Sequence, residues 1–347
     1  MLGGGVYVAQ NKTMPGTYFR VVNATTAPSS IGDRGVVAIA LPLGKEAGKV
    51  IEVTKEKLAS DAENLLGAKY SDASVAPIRE IMYHANKVYV YDLGTDEALT
   101  ATDALDALEA YEFNILAAYT DTAEEASTYT SRVKSWREDS GKNCQAVVYN
   151  QASPEHEAII NLASTVTTAG APAHALVAWV AGAEAGCAIN ASCTNMLYDG
   201  EYEVDVAKTQ SELEDCLKNG KFVFHNVFGE VRTLEDINSL TKFTETKTED
   251  FKYNQVIRVF DQIVNDVAKL FNTRYLGKVA NNKSGREGLW GDIVKHHKEL
   301  ETLQAIENFE SSMLKVEQGT TKRSVHVTDV ISVAGTMSHL YLDMLIS

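Results

Sequence analysis

The chain has 347 residues, of which 45% are hydrophobic and 23% are charged, as in ordinary globular proteins. Its 32 lysine and arginine residues stand against 47 aspartate and glutamate residues, which gives a formal net charge of −15. This balance argues against nucleic acid and anionic membranes as main partners, because both attract basic surfaces. At roughly 150 residues per domain, the length predicts two domains.

The cysteines and the start of the chain indicate a cytoplasmic protein. Cys144, Cys187, Cys193 and Cys216 form no CxxC pair and no zinc-finger spacing with histidine, so we expect buried free thiols in a reducing compartment. No secretory signal opens the sequence, and the longest apolar run, 173–183, is much shorter than the ~20 residues of a membrane helix.

The first 22 residues are predicted to form an extended arm. Two short β-prone runs, 6–9 and 17–22, flank a Met-Pro-Gly turn signal at 14–16. Two brief strands without a covering helix are not stable by themselves. We therefore expect this segment to pair with something outside itself.

From about residue 33 to 195, strand-like and helix-like segments alternate, which predicts an α/β layer with a mainly parallel sheet. The segment 155–166 suggests a short helix, whereas 175–181 fits either a strand or a helix. The predicted strands span 35–41, 87–91, 114–119 and 144–149, and the predicted helices span 60–68, 75–85, 100–111 and 122–140.

Beyond about residue 197 the pattern changes to helices and short strands. A helix at 211–219 precedes a hairpin whose strands, 221–225 and 230–234, flank a turn at 227–229. Two amphipathic helices follow. Apolar residues step by four and three positions in both, and a capping box at 284–287 marks the start of the second. The stripes consist of Val256, Phe260, Ile263, Val267 and Leu270, and then of Leu289, Ile293, His296, Leu300 and Leu303. The tail is β-prone again at 324–328 and 339–346.

Motifs for catalysis are missing from this sequence. The glycine-containing stretches at 44–50 and 182–186 lack the spacing of a phosphate loop or a dinucleotide fingerprint. Asp92, Asp199 and Asp329 lie near the ends of strand-like runs, where turn-forming aspartate is commoner than catalytic aspartate. We therefore predict no catalytic, cofactor or metal site, and a protein that is not an enzyme.

The segment 278–298 is basic, although the chain as a whole is acidic. Its cationic residues are opposed only by Glu287 and Asp292, and they are Lys278, Lys283, Arg286, Lys295 and Lys298, with His296 and His297 beside them. Two interpretations stay open: an ordinary solvated helix face, or a docking surface for an acidic partner.

The C-terminal segments carry a family resemblance. Residues 254–271, 275–278 and 288–300, together with the Asp-Ile-Asn-Ser element at 236–239 and the Pro-Gly-x-Tyr motif at 15–18, resemble the contractile phage tail sheath family. The similarity is greatest to sheaths of defective-prophage tails and R-type bacteriocins such as diffocin. It is dense from about 220 to 345, thinner over the first 40 residues, and limited to α/β character between 50 and 195.

The resemblance implies a structural subunit that polymerises helically around an inner tube and contracts to drive the tube through a cell envelope, without a cofactor. The implied partners are further copies of the chain, the inner tail tube protein, and the baseplate and tail terminator proteins. Such a sheath is made in the bacterial cytoplasm and leaves in a phage tail or bacteriocin particle on lysis. Neighbouring subunits of the family exchange terminal strands.

The predicted fold class is accordingly α/β (α+β overall), with β arms at both termini. The predicted parts are an N-terminal arm (1–22), an α/β domain (23–197), a C-terminal polymerisation domain of helices and sheet (198–323) and a C-terminal strand arm (324–347). A sheet with an open edge can accept a strand from another chain, which would link copies into an open array.

These expectations assign residues to two surfaces. The predicted assembly arms contain Val6, Tyr7, Val8, Tyr18, Phe19, Val21, Leu340, Tyr341, Leu342, Met344 and Leu345. The predicted contact with the tube contains Lys283, Arg286, Lys295, His296 and Lys298. Two alternatives remain: a doubly wound α/β enzyme that binds a nucleotide-like ligand, and another structural protein of a phage tail or baseplate.

Overall fold

The computed structural model of the protein describes residues 31–96 and 98–344. The predicted N-terminal arm, including Val6, Tyr7, Val8, Tyr18, Phe19 and Val21, lies outside these residues, as does Leu345. The described chain has the mixed α/β character that the sequence predicted, so the predicted fold class is confirmed.

One mixed sheet of seven strands forms the centre of the molecule. The strands are β1 (Val36–Leu41), β2 (Val50–Thr54), β3 (Lys87–Asp92), β4 (Ile115–Ala117), β5 (Gln145–Tyr149), β6 (Ile159–Leu162) and β7 (Lys221–Phe222). Their order is β2-β3-β1-β4-β5-β6-β7. Strands β2 and β3 pair antiparallel with each other, and every other neighbouring pair in this sheet is parallel. The central strands are buried on both sides, which explains their almost continuous apolar sequence.

Helices cover both faces of this sheet. They are α1 (Lys55–Leu66), α2 (Ala76–Met82), α3 (Ala101–Leu108), α4 (Ala123–Ser135) and α5 (Leu176–Gly186). Helices α1, α2 and α5 share one apolar core with the sheet, and α3 and α4 share the other. Helix α5 lies very close to α2 and the residues that follow it. A Cβ atom at Gly182 or Gly186 would collide with the backbone carbonyls of Ile81 and His84, so only glycine fits at these two positions.

Three features of this layer differ from the sequence predictions. The short helix predicted at 155–166 is wrong: β6 is a fully buried strand there, and periodicity cannot distinguish a short buried strand from a helix. Strand β2 was not predicted at all. The α/β layer also extends past the predicted boundary at 197, because β7 supplies its last strand.

The remaining elements form the C-terminal unit and its connections. The helices are α6 (Gln210–Lys218), α7 (Asn254–Leu270) and α8 (Lys283–Thr302). The strands are β8 (Phe224–Val227), β9 (Glu230–Thr233), β10 (Ile306–Glu307), β11 (Lys315–Gln318), β12 (Val325–Thr328) and β13 (Ser332–Val333). The capping box predicted at Ser284 and Glu287 is wrong, because Asn282 caps α8 and its side chain accepts from the Gly285 amide at 2.8 Å.

Part of the predicted C-terminal arm forms strands of two small sheets in the C-terminal unit. Strand β12 pairs antiparallel with β11, and β13 pairs antiparallel with β10. The first thirteen residues of the predicted arm, 324–336, are therefore held within the C-terminal unit. Only the residues after 336 leave it.

The polar side of α7 fastens this helix to the α/β layer. Four buried or half-buried polar residues, Asn254, Arg258, Asp261 and Asn265, recur at steps of four, three and four. Asn254 accepts from Gln145 of β5 at 3.0 Å, and Asp261 pairs with Arg137 at 2.7 Å. The opposite, apolar side of α7 packs into the C-terminal unit, as the predicted stripe requires.

Arg258 is the centre of the most deeply buried charge cluster in the described chain. Its Nη2 lies 2.6 Å from Oε2 of Glu184 and 3.2 Å from Oδ2 of Asp236, and its Nη1 donates to the Ala191 carbonyl at 2.8 Å. Burial and the neighbouring Asp236 carboxylate raise the pKa of Glu184 well above its usual value. Burial is also the largest influence on Asp236 and opposes its ionisation, but Arg258 and the hydrogen bonds from Glu184, the Cys193 amide and Asn254 together hold that pKa below its usual value.

The hairpin of β8 and β9 turns through Phe228 and Gly229. Phe228 has a φ of 51° and Gly229 a φ of 92°, so both lie in the left-handed region that a two-residue turn of this kind requires. Glycine adopts this conformation freely, whereas a phenylalanine is strained there. The Phe228 side chain is also fully exposed, so it contributes no burial in return.

We expect Arg258→Met to lower the free energy of unfolding by about 3–5 kcal/mol, because it leaves two carboxyl groups buried without their cation. Urea denaturation measures this change. The triple variant Arg258→Met, Glu184→Gln, Asp236→Asn removes the uncompensated charge and should recover part of the loss. A loss below about 1 kcal/mol in the single variant would contradict this account of the cluster.

We expect Phe228→Asn to raise the free energy of unfolding by roughly 1 kcal/mol, because asparagine tolerates the left-handed region and Asn-Gly favours this turn. The same urea titration detects the gain. The matched control is Phe243→Asn, which replaces another exposed phenylalanine whose φ is not positive. An equal gain in the control, or a destabilised Phe228→Asn variant, would show that turn strain is not the cause.

Candidate assembly surface

The C-terminal tail exposes its apolar side chains. Leu340 and Tyr341 are 88% and 89% exposed, and Leu342, Met344 and Met337 are similarly open to solvent. Residues 339–344 form no strand within the described chain, so the strand predicted at 339–346 is not formed there. A contiguous exposed apolar segment of this kind usually marks an interaction site.

The base of this tail is fixed. The Ala334 amide donates to the Ala305 carbonyl at 3.1 Å, which extends the pairing of β10 and β13 by one bond. Gln255 of α7 holds the next residues: its Nε2 donates to the Ala334 carbonyl at 3.0 Å, and its Oε1 accepts from the Thr336 amide at 3.1 Å. The tail therefore leaves the C-terminal unit after Thr336.

The start of the described chain is held by the same helix. The Gly32 amide donates to both carboxylate oxygens of Asp266 at 3.1 Å, and Gln262 Nε2 donates to the Gly32 carbonyl at 3.1 Å. Gln262 and Asp266 lie two to three turns along α7 from Gln255. Both ends of the described body are thus anchored on one helix.

The small sheets of the C-terminal unit offer unpaired edges. Within the described residues, β10, β11, β12 and β13 each pair with a single strand. Beside β11 and α8 lies a groove of about 620 Å³. Trp290 and Val316 contribute apolar surface to it. Charges of both signs line it as well, from Lys283, Arg286, Glu287 and Glu317. An edge strand next to such a groove can accept an extended apolar segment by backbone pairing.

The predicted basic surface on α8 is only partly formed. Lys283, Lys295 and Lys298 are exposed, while Arg286 is half-buried and donates to Asn281 Oδ1 at 3.0 Å. Acidic side chains on the same helix accompany the lysines, since Lys298 Nζ lies 2.8 Å from Oε2 of Glu301. The surface therefore carries cations that are partly compensated by exposed carboxylates.

His296 does not belong to that surface. Its side chain is fully buried between α8 and α7, with Nε2 3.2 Å from Oδ2 of Asp266. The prediction that His296 contacts the tube was wrong, because a side chain with no exposed area cannot meet a partner. The sequence did carry the signal: His296 occupies an apolar-stripe position of α8. His297 is buried too, and its pKa is lowered to about 2 by burial and by His296.

The carboxylates considered as catalytic candidates hold structure in place. Asp92 accepts from the amides of Gly44, Glu46 and Gly94 at 2.7–2.8 Å and so closes a turn. Asp199 accepts from Trp179 Nε1 at 2.8 Å. Asp329 lies 3.4 Å from Nε2 of His297.

One group of side chains has the composition of a metal site. Ligand atoms of Glu184, Cys193 and Asp236 lie within 4.8 Å of one another. Nη2 of Arg258 already contacts both carboxyl groups, so a cation of the protein itself is paired with them. Across the part of the chain that is described, no helix has the length and apolar character to cross a membrane.

Comparison with known families gives two matches. Residues 94–239 match the phage tail sheath protein central domain, and residues 246–347 match the phage tail sheath C-terminal domain. Together these matches cover more than two thirds of the chain and include α7, α8 and the tail.

Two related sequences align with half or more of this chain. The uncharacterized protein YqbK of Bacillus subtilis (strain 168) is 35% identical over 184 residues, half of this chain but only 39% of its own length. The chain thus spans about two fifths of that relative. The tail sheath protein of Clostridium phage phiCD119 is 27% identical over 253 residues, which cover 71% of this chain and 69% of the phage protein.

Solved structures show the same fold. The sheath tail protein of Desulfitobacterium hafniense superposes with a TM-score of 0.79 at 24% identity, covering 94% of this chain and 99% of that one. The helical sheath of the anti-feeding prophage in its contracted state gives a TM-score of 0.67 at 14% identity, covering 97% and 99%. With its two domain matches and its described fold, the chain belongs to the phage tail sheath family.

Proposed function

We propose that this protein is the repeating structural subunit of a contractile sheath. It polymerises helically around an inner tube and contracts to drive the tube through a cell envelope, without catalysis. The observation that carries the proposal is the apolar tail at 337–344, which is anchored at its base and exposed along its length. Membership of the family and the fold shared with a contracted helical sheath support it.

Strand exchange links the subunits in this proposal. The tail residues Leu340, Tyr341, Leu342, Met344 and Leu345 of one copy pair with an unpaired edge of a small C-terminal sheet in another copy. The N-terminal segment with Val6, Tyr7, Val8, Tyr18, Phe19 and Val21 makes a second such link. Because donor and acceptor surfaces differ, the contacts are heterologous and generate an open helical array. Several links per subunit reinforce one another through effective concentration.

Contraction then requires rearrangement of whole bodies rather than a cofactor. The arms flex while the α/β layers slide into a packing that buries more surface. Burial of apolar area contributes about 25 cal/mol per Å², so a modest gain per subunit becomes large over a long sheath. The extended state persists because the barrier between the two packings is kinetic.

The exposed cations of α8, Lys283, Lys295 and Lys298, with Arg286 beside them, are proposed to face the inner tube protein. Baseplate and tail terminator proteins would cap the two ends of the sheath. The subunit would be made in the bacterial cytoplasm and released on lysis within a phage tail or a bacteriocin particle.

Deletion of residues 1–22, or of residues 337–347, should give a folded monomer that does not polymerise, because each deletion removes an exchanged strand. Electron microscopy of the purified protein scores sleeves, and circular dichroism verifies the fold. The triple substitution Leu340→Asn, Leu342→Asn, Met344→Asn tests the same link at full length, with Asp343→Asn as its control. Sleeves formed by the truncated chains would refute strand exchange, and a single ring from the wild type would favour a baseplate part.

Reversal of charge at Lys295 and Lys298, by substitution with glutamate, should abolish co-assembly with the tube protein while sleeves of the sheath alone persist. The physical reason is that an acidic tube surface would then meet like charge. Co-sedimentation of sheath with tube measures the effect. Lys218→Glu, on an exposed position of α6, is the matched control. Unchanged co-sedimentation of the double variant would remove α8 from the tube contact.

A further inference from the structure

We propose that Gln255 positions the C-terminal arm: its side-chain amide clamps the arm's base to α7, so that the arm leaves the body in one direction and flexes only beyond Thr336. This inference rests on the proposed function, since the arm matters only if it joins another copy. Gln255 itself contacts no partner. It acts by fixing the segment that does.

The side-chain amide of Gln255 continues the hydrogen-bond ladder between β10 and β13 in the place of a further strand residue. The ladder between β10 and β13 ends with the Ala334 amide on the Ala305 carbonyl at 3.1 Å. Gln255 then donates from Nε2 to the Ala334 carbonyl at 3.0 Å, and its Oε1 accepts at 3.1 Å from both the amide and the hydroxyl of Thr336. A primary amide both donates and accepts, as a peptide group does.

Burial makes the clamp hard to open. Gln255 is only 4% exposed, so releasing Thr336 would leave a buried carbonyl oxygen without a donor. An unsatisfied buried polar group is costly. Beyond Thr336, by contrast, the single hydrogen bond that residues 337–344 make within the described chain joins Ser338 to its neighbour His339. The boundary between held and free chain therefore lies between Thr336 and Met337.

The clamp also connects the arm to the rest of the body. The residue before Gln255 is Asn254, which accepts from Gln145 of β5 at 3.0 Å and donates to Asp236 at 2.9 Å. Arg258, one turn further along α7, pairs with Glu184 of α5. Adjacent residues of one helix thus bind the arm and the α/β layer. A pull on the arm is passed through α7 to the layer.

The test compares Gln255→Ala with the wild type in the full-length chain, as monomer and under polymerising conditions. Residue-resolved hydrogen exchange reports the clamp. We expect the Thr336 amide to exchange about tenfold faster in the variant, since it loses its acceptor. The Ala334 amide is the internal control, because its acceptor is Ala305. Gln210→Ala, on exposed α6, is the matched control variant. We expect severalfold fewer and shorter sleeves from Gln255→Ala only.

A second variant keeps the test valid if Gln255→Ala does not fold. Thr336 is exposed, and a glycine there removes the hydroxyl bond to Gln255 and gives the backbone at the arm's base more conformational freedom without disturbing the core. Thr336→Gly should also reduce sleeve length. Unchanged exchange at Thr336 in Gln255→Ala, or normal sleeves from both variants while the wild type polymerises, overturns the positioning role. A wild type that forms no sleeves contradicts the proposed function instead, and the exchange rate of Thr336 still decides whether the clamp exists.

Discussion

The attachment of α7 to its surroundings is the constraint on which the rest of the structure depends. Its polar side meets the α/β layer through Arg258, Asp261 and Asn254, and its apolar side packs into the C-terminal unit. A buried arginine that pairs with two carboxyl groups tolerates little displacement, because any shift leaves charge uncompensated in a medium of low polarity. The same helix anchors Gly32 near one end of the described chain and Thr336 near the other.

This arrangement divides the described chain into a compact body and segments whose apolar side chains or backbone groups find no partner in that body. The seven-stranded sheet is covered on both faces, and each of its five inner strands pairs on both sides. Within the described residues, the C-terminal tail pairs with no strand, and each strand of the small sheets has one unpaired edge. When a strand of one copy joins a sheet edge of another, its exposed apolar side chains become buried and the unpaired backbone groups of the edge form hydrogen bonds. In the proposed sheath, assembly completes the fold, and α7 transmits force between a completed edge and the body.

Several parts of the fold could be predicted from local pattern. The apolar stripe of α7, the first core strand and the helix over 100–111 follow from periodicity, because their apolar positions repeat with the spacing of one face. Prediction failed where tertiary packing decides between two structures that the local sequence allows. Strand β6 lies in a segment predicted to be helical. Helix α8 is capped by Asn282 rather than by the expected capping box, and His296 is buried although it lies among lysines in the sequence. In each case the residue types were compatible with both outcomes.

The sequence by itself determined the alternation of strands and helices, the family resemblance, and the presence of β-prone apolar segments near both ends. These are local properties, fixed by residue type and spacing. Only the tertiary structure decided that residues 325–333 pair within their own chain while residues 337–344 do not, and that Arg258, Glu184 and Asp236 meet. Contacts between residues distant in the chain depend on which surfaces the fold brings together, and no single segment contains that information.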